Sequence, residues 1–475
     1  MKLKRTLLAA SCAIITLTTQ ASTMPEPPAP VSVFESRVYR DLFSTEDMRS
    51  IFSDETLVNR WVEVEVALAK SQADLDIIPE SAYHSIKKTA DNFEVDFDAL
   101  RAGTNKVGRG IKPLLDQLKA SGDEQVSSYL HFGSTTQDIM DTATVLQVKA
   151  ANEVIRKQLV AVALQLADLA EEHKTTVMIA RSNGQDAIPT TLGLHLTTYM
   201  MELNRHIQRL DEASARLQPQ IGGTVGTLSA YGDKGLDLQE GVAKELGLTP
   251  QTGPWNPSRD NFAETVQILG LVNATLGRVA IDINNYSRTQ INEIQEGEGG
   301  ASSTMPQKRN PRASEYMGAF ARMGKMYNSA ALDIMSHSDT RQGAPWIVEW
   351  SILPESFMVT SAALQRASGL FDKLIVNEDK MLENFSDSKN YVMSEALMNK
   401  LAAKVGRGKA YSLVKHAIRS SSDSHGLKDI IENTPEIKQL LTEQEIQAVL
   451  DPANYIGSSE QLVENAVAEV RKSLL

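Results

Sequence analysis

Long stretches of the chain repeat apolar residues at helical spacing. Leu57, Trp61, Val64, Leu68 and Leu75 recur in steps of three, four and seven, with Ser71 in the remaining slot, and Pro79 closes the pattern. This predicts a helix with one apolar face and Asp54 as its N-cap. Residues 141–173 contain neither Gly nor Pro, and Ile155, Leu159, Val162, Leu166 and Leu169 step by four and three. At 1.5 Å per residue the segment predicts a rod on the order of 50 Å long. A second rod is predicted after Pro189, carrying Leu192, Leu196, Met200 and Leu203, a third over 260–293 and a fourth over 314–335. Rods of this length bury their stripes in a bundle, often one extended by oligomerisation. No strand alternation of useful length is apparent, and no internal repeat. From about Asn377 the helices are shorter, with a break at 421–424, which predicts a small C-terminal helical domain.

Composition agrees with helix. Aromatic residues make up only 5% of the 475, while straight-chain helix formers are plentiful. The formal charge of −12 argues against a nucleic-acid partner, which needs a basic face. The single cysteine, Cys12, excludes a disulfide framework and a cysteine-based zinc site. Lys2, Lys4 and Arg5 precede an uncharged, mostly apolar run at 6–19, and Thr19-Gln20-Ala21 is an acceptable cleavage site. This layout predicts a signal peptide at 1–21 and hence a periplasmic or secreted protein. A tether at 22–33 follows, with four prolines between Met24 and Pro30. Loss of Lys2, Lys4 and Arg5 takes the charge from −12 to −15. No later segment reads as long and apolar enough to span a membrane.

The richest chemistry lies between the third and fourth rods, in GEGGASSTMPQKRNP at 297–311. Gly297, Gly299 and Gly300 loosen the entry; Ser302, Ser303, Lys308, Arg309 and Asn310 follow within nine residues. Lys and Asn suit a carboxylate whose charge grows as the adjacent carbon loses its proton. A nearby Ser takes that proton if its own alkoxide is stabilised. By composition alone such a loop reads more often as a solvated connection.

The run from Ser302 to Asn310 resembles the signature of the fumarase/aspartase superfamily, with Ala301 where the pattern has Gly. HFGSTTQD at 131–138 is similar to the His-x-Gly-x-Thr-Ser-x-Asp segment of its 3-carboxy-cis,cis-muconate cycloisomerase and adenylosuccinate lyase branch. The likeness runs from about Phe34 to the C-terminal helices. It implies Ser302 as the base, Lys308 and Asn310 as stabilisers of the aci-carboxylate, and substrate contacts from Ser303 and Arg309. It also implies that Thr135 and Thr136 bind a substrate carboxylate, although the pair serves equally as an N-cap cluster. Arg341, Trp346, Glu349-Trp350 and Leu353-Pro354 resemble the cycloisomerase pattern. The Ser-Ser segment that holds a nucleotide phosphate in adenylosuccinate lyases is missing, and Ser258 stands where they carry Gln. Arg181-Ser182-Asn183-Gly184-Gln185 departs from both groups: nucleotide lyases place their acid, a His, at Asn183, and Asn cannot deliver a proton. Asn256 likewise stands where cycloisomerases commonly have His. His131 is then an alternative proton source or a structural hydrogen-bonder. Arg181, Asn183, Gln185, Arg259 and Arg341 are candidate substrate contacts, and the three arginines read equally well as helix-end salt bridges.

The resemblance further implies an all-α, three-domain subunit of the fumarase/aspartase fold, divided at 34–140, 141–370 and 371–475. It implies a homotetramer with active sites shared between subunits, a small-molecule carboxylate substrate, and neither metal nor organic cofactor. The expected activity is that of an exported, 3-carboxy-cis,cis-muconate cycloisomerase-like lyase. An adenylosuccinate-lyase-like or aspartase-like fumarate-releasing enzyme is the alternative within the class. A non-catalytic dicarboxylate-binding protein on the same scaffold is the alternative outside it.

Overall fold

The computed structural model describes residues 31–421 and 426–475. The expected signal peptide, nearly all of the tether and most of the break at 421–424 lie outside the described residues.

Helix α1 (Asp54–Asp74) is the first predicted rod. Its N-cap is Ser53, whose hydroxyl accepts from the Thr56 N–H at 3.2 Å. Asp54 stands one position inside, in the first turn with Glu55, where an acid complements the helix dipole. Val58, Trp61, Val64 and Leu68 are buried, and Ser71 within the stripe satisfies its hydroxyl on the Ala67 carbonyl. Helix α2 (Phe97–Val107) ends at Gly108, which adopts φ +83°.

Helix α3 (Thr136–Glu172) starts five residues earlier than its periodicity suggested, because Thr135 caps it. Its 37 residues make a rod about 55 Å long. A hairpin follows where a mere helix break was expected: β1 (Val177–Ser182) pairs antiparallel with β2 (Gln185–Thr191). Asn183 and Gly184, at φ +53° and +75°, form its two-residue turn. Asn-Gly is the pair a type I′ turn favours. Helix α4 (Leu192–Ser214) then runs back along α3, with Asn152 bonded to Ser214 and Arg156 to Asp211.

Helix α5 (Asp260–Tyr286) stops short of the expected 293. It also corrects the reading that no later segment could cross a membrane. By length and composition α5 could, but two-thirds of its apolar stretch is buried in this fold. It is apolar on several sides because α4, α6 and α7 all pack against it. Strands β3 (Ile294–Glu296), β4 (Gly300–Ala301) and β5 (Arg309–Asn310) lead into α6 (Arg312–Asp333). Helix α7 (Gly343–Asp372), 30 residues long, was hidden in the sequence by Pro354 in its interior. Proline removes one intrahelical hydrogen bond and usually ends a helix. Here dense burial outweighs that cost, since Leu353, Phe357, Val359 and Leu364 are all 2% exposed or less. Strand β6 (Leu374–Val376) pairs antiparallel with β3.

Helices α3, α5 and α7 thus run one way and α4 and α6 the other. One core extends from Phe34 to Met381. A separate small core spans Met393 to Val449, and the last helix, α8 (Ser459–Leu474), returns to the main one through Val463, Val467 and Val470.

Candidate active site

The sequence-predicted residues fall at two ends of this bundle. The first end gathers around the N-terminus of α3. His131 sits in a left-handed backbone conformation, φ +66°, and its Nδ1 lies 2.6 Å from Glu65 of α1. Burial works against the imidazolium, but Glu65 more than offsets it and raises the pKa of His131. Gly133, at φ +71°, has no room for a side chain, since a Cβ would come within 2.5 Å of the Tyr231 ring. Thr135 caps α3, and Asp138 in its first turn accepts from the N–H groups of Thr135, Gly222 and Gly223 at 3.1, 3.2 and 2.9 Å. Burial nevertheless pushes Asp138 up to about 6, because those dipoles only partly replace water. Asp138 thereby ties the HFGSTTQD segment to the Gly-rich turn at 221–228.

Arg341 reaches this end from the segment before α7. Its Nε donates to Gln137 at 2.7 Å and an Nη to the Thr224 carbonyl at 3.0 Å. It has no carboxylate partner among the described residues, so its guanidinium stands without a counter-charge beside the N-terminus of α3. Asn256 is fully buried; its Oδ1 accepts from Gln220 at 3.1 Å, and its Nδ2 has no partner among the described residues. Arg259 is different. Its side chain is 0% exposed and bonds Glu349 at 2.6 and 2.9 Å and Asp141 at 2.7 and 3.1 Å. It is the centre of a buried ion cluster, with no donor turned toward a ligand. Of its two readings, the salt bridge is the one the geometry displays.

The second end is reached where α3 stops. Arg181 forms a two-pronged pair with buried Glu293, at 2.6 and 2.7 Å, and stacks over Tyr286, so it too is engaged as a salt bridge. Asn183 and Gln185 are exposed at the hairpin turn. The loop at 297–311 follows directly on β3, which begins next to the Glu293 that Arg181 holds. Its base is a ribbon pairing Gly300 with Asn310 and Ala301 with Arg309, and Arg309 donates to the Gly297 carbonyl at 2.8 Å. Arg309 therefore staples the loop. Glu296 accepts from Ala313 N–H, Ser314 N–H and Ser314 Oγ at 2.9, 2.8 and 2.6 Å, fixing the exit of the loop to α6. Within the loop, the Ser302 oxygen accepts from the N–H groups of Thr304 and Met305 at 3.3 and 3.0 Å. Two aimed dipoles favour the alkoxide over the alcohol. Ser303 and Lys308 are exposed without a side-chain partner among the described residues, and Asn310 borders a shallow cleft between α5 and α6.

The two ends lie about the length of α3 apart, on the order of 50 Å. Thr135, Thr136, His131 and Arg341 of one chain cannot meet Ser302, Lys308 and Asn310 of the same chain. Glu65, Gln137 and Asp138 were missed by sequence reasoning. Glu65 left a signal: an acid three residues before Leu68 and four after Trp61, inside an apolar stripe.

A helical bundle of this topology with a Ser/Lys/Asn loop defines a lyase of the fumarase/aspartase superfamily, and the chain belongs to it. The lyase family model matches residues 43–323, and the model for the adenylosuccinate lyase C-terminus matches 390–466, which contains the small second core. Within the superfamily its relatives include the cycloisomerase and adenylosuccinate lyase branch. Trans-aconitate decarboxylase 1 of Mycosarcoma maydis is 36% identical, over 90% of this chain and 88% of that protein. The 3-carboxy-cis,cis-muconate cycloisomerase of Acinetobacter baylyi is 34% identical, over 92% and 99%. The crystal structure of a fumarate lyase from Mesorhizobium sp. BNC1 superposes with a TM-score of 0.85 at 38% identity, covering 90% of this chain and 98% of that one.

Proposed function

We propose that this chain is an exported lyase acting on a di- or tricarboxylate in the manner of a 3-carboxy-cis,cis-muconate cycloisomerase. Ser302 removes the proton α to a carboxylate, and the β-substituent leaves with its bonding pair; the reverse is addition of an internal carboxylate to the double bond. The observation that carries this reading is the Ser302 oxygen held by two backbone N–H groups, in a loop whose exposed Lys308 has no side-chain partner among the described residues. Lys308 and Asn310 meet the aci-carboxylate. Arg341, Thr135 and Thr136 hold the distal carboxylate. His131, whose pKa burial lowers and Glu65 raises by more, supplies the proton that Asn183 cannot.

Because the two ends of one chain are far apart, the reading requires neighbouring copies to bring opposite ends together, in a homotetramer. Exposed apolar side chains on the central helices support such packing, among them Ile281 of α5, Met326 and Leu332 of α6 and Ile347 of α7. The test is turnover of a panel of carboxymuconates, aconitates and succinyl amino acids, followed by mass spectrometry and absorbance. Ser302→Ala and Lys308→Ala should each lower kcat by about 10²-fold or more. Undiminished turnover in Ser302→Ala would end the assignment. Dicarboxylate binding without turnover across the panel would favour the binding-protein reading, which Asn183 motivates. Export is tested by N-terminal sequencing of the mature protein, which should begin at Ser22.

A further inference from the structure

A cavity of about 750 Å³ lies between α1, α2 and α7, a volume suited to a small molecule. Phe52, Trp61, Phe97 and Trp350 line it, with Met140 of α3 and Pro354 of α7. At its edge stands Arg109. Its guanidinium lies 5.1 and 5.0 Å from the ring centres of Trp346 and Trp350, in cation–π contact with both. One Nη donates to the Gly108 carbonyl at 2.6 Å, and no carboxylate pairs with it among the described residues. The other charges at the cavity are paired or exposed. Arg101 is paired with Asp98 at 2.9 Å, Glu349 with Arg259, and Asp54 and Glu55 are exposed in the first turn of α1. The unspent charge is a half-buried cation on an aromatic wall.

This cavity shares a boundary with the carboxylate end of the site. A Cβ on Gly343, two residues after Arg341, would come 3.3 Å from an Arg109 Nη. Trp346 donates its indole N–H to Asp141 at 2.9 Å, one turn beyond Gln137, which holds Arg341. We propose that Arg109 and this cavity form a specificity subsite for a flat, unsaturated or aromatic substituent that carries an anionic group. That the substituent belongs to the substrate rests on the reading under Proposed function; binding of the chemistry itself does not.

The test uses 3-phenylpropionate, which has no β-leaving group, with 3-phenylpropan-1-ol as its uncharged counterpart. Three of the four tryptophans line or border the cavity, so intrinsic fluorescence reports occupancy. The acid should bind saturably and should weaken about tenfold or more in Arg109→Ala, whereas the alcohol should not respond to that change. Thr104→Phe, which fills the cavity from α2, should abolish both, with circular dichroism unchanged. Equal affinity of the acid in wild type and Arg109→Ala, or binding that survives Thr104→Phe, would overturn the subsite. With a turned-over carboxylate in hand, the acid should compete with it; non-competitive inhibition would overturn the link to the substrate. Binding that follows these rules in a protein with no turnover on any carboxylate sinks the catalytic reading alone. Turnover without binding sinks the subsite alone.

Discussion

Removing the guanidinium of Arg259 should be among the most damaging single changes available to this fold. In Arg259→Met two carboxylates stay behind in a place where their side chains are no more than 2% exposed. Asp141 retains Gln137 Nε2 and Trp346 Nε1, both at 2.9 Å, whereas Glu349 retains no partner among the described residues. Stripping one member from a buried ion cluster costs about 3–5 kcal/mol, because the survivors are desolvated and unpaired. The pH dependence has a definite sign. Burial already raises the pKa of Glu349 with Arg259 present, and without the cation it rises further. A carboxyl whose folded-state pKa lies above its unfolded value favours folding at low pH, and that contribution is lost as pH rises between the two. Wild-type Glu349, already pushed up to about 7, carries the same loss below that pH, so the deficit of Arg259→Met should grow between pH 5.5 and pH 8 chiefly above about 7, by up to about 1.4 kcal/mol per pH unit for one group. Urea unfolding at both pH values, at one protein concentration, measures it. Trp255 and Trp346 flank the cluster and report its loss by fluorescence. The combination Arg259→Met with Asp141→Asn and Glu349→Gln should recover much of the deficit. A loss under 1 kcal/mol at pH 8, or equal losses at both pH values, would refute the argument.

Three other outcomes follow from the same geometry. Asp138 titrates near 6 when folded against an ordinary 3.8, so it should weaken the fold by about 3 kcal/mol as pH rises from about 4 to 6 and add no slope above that; Asp138→Asn should erase this slope in a pH series of unfolding curves. Glu296→Ala removes three hydrogen bonds at the start of α6 and should cost about 2 kcal/mol, with faster tryptic cleavage at exposed Lys308 or Arg309. Gly133→Ala forces a Cβ into Tyr231 from a left-handed backbone and should lower Tm by a stability loss of about 2 kcal/mol, while Gly184→Ala, with open space around it, should cost less.

The rods were legible because burial on one face writes a period of 3.6 that survives without any knowledge of partners. What failed to show was whatever depends on distant chain. The hairpin after α3 carried its strongest local signal, Asn183-Gly184, but its strands alternate only weakly because one is half exposed. Helix α7 was masked by Pro354, a residue whose local preference is overruled by packing on nearly every side. Ser302, Lys308 and Asn310 could be read as chemistry from their order alone. That Arg259 is structural could not, since it depends on acids 90 and 118 residues away; nor could the lack of a carboxylate partner for Arg341 among the described residues. Glu65 was hidden for the same reason: an acid in an apolar stripe makes sense only once His131 is seen opposite it.

The polarity of α3 has a genetic corollary. On the proposed function, each polypeptide carries a base at one pole and an anion clamp at the other, too far apart to cooperate. In the proposed tetramer, a chain with Ser302 removed and a chain with Arg341 removed should each be inactive as pure populations, while their co-assembly should re-create some intact centres from the undamaged poles of both. Co-expressing the two defective alleles should therefore restore a fraction of activity that neither possesses by itself, a complementation that no enzyme with a self-contained pocket can show.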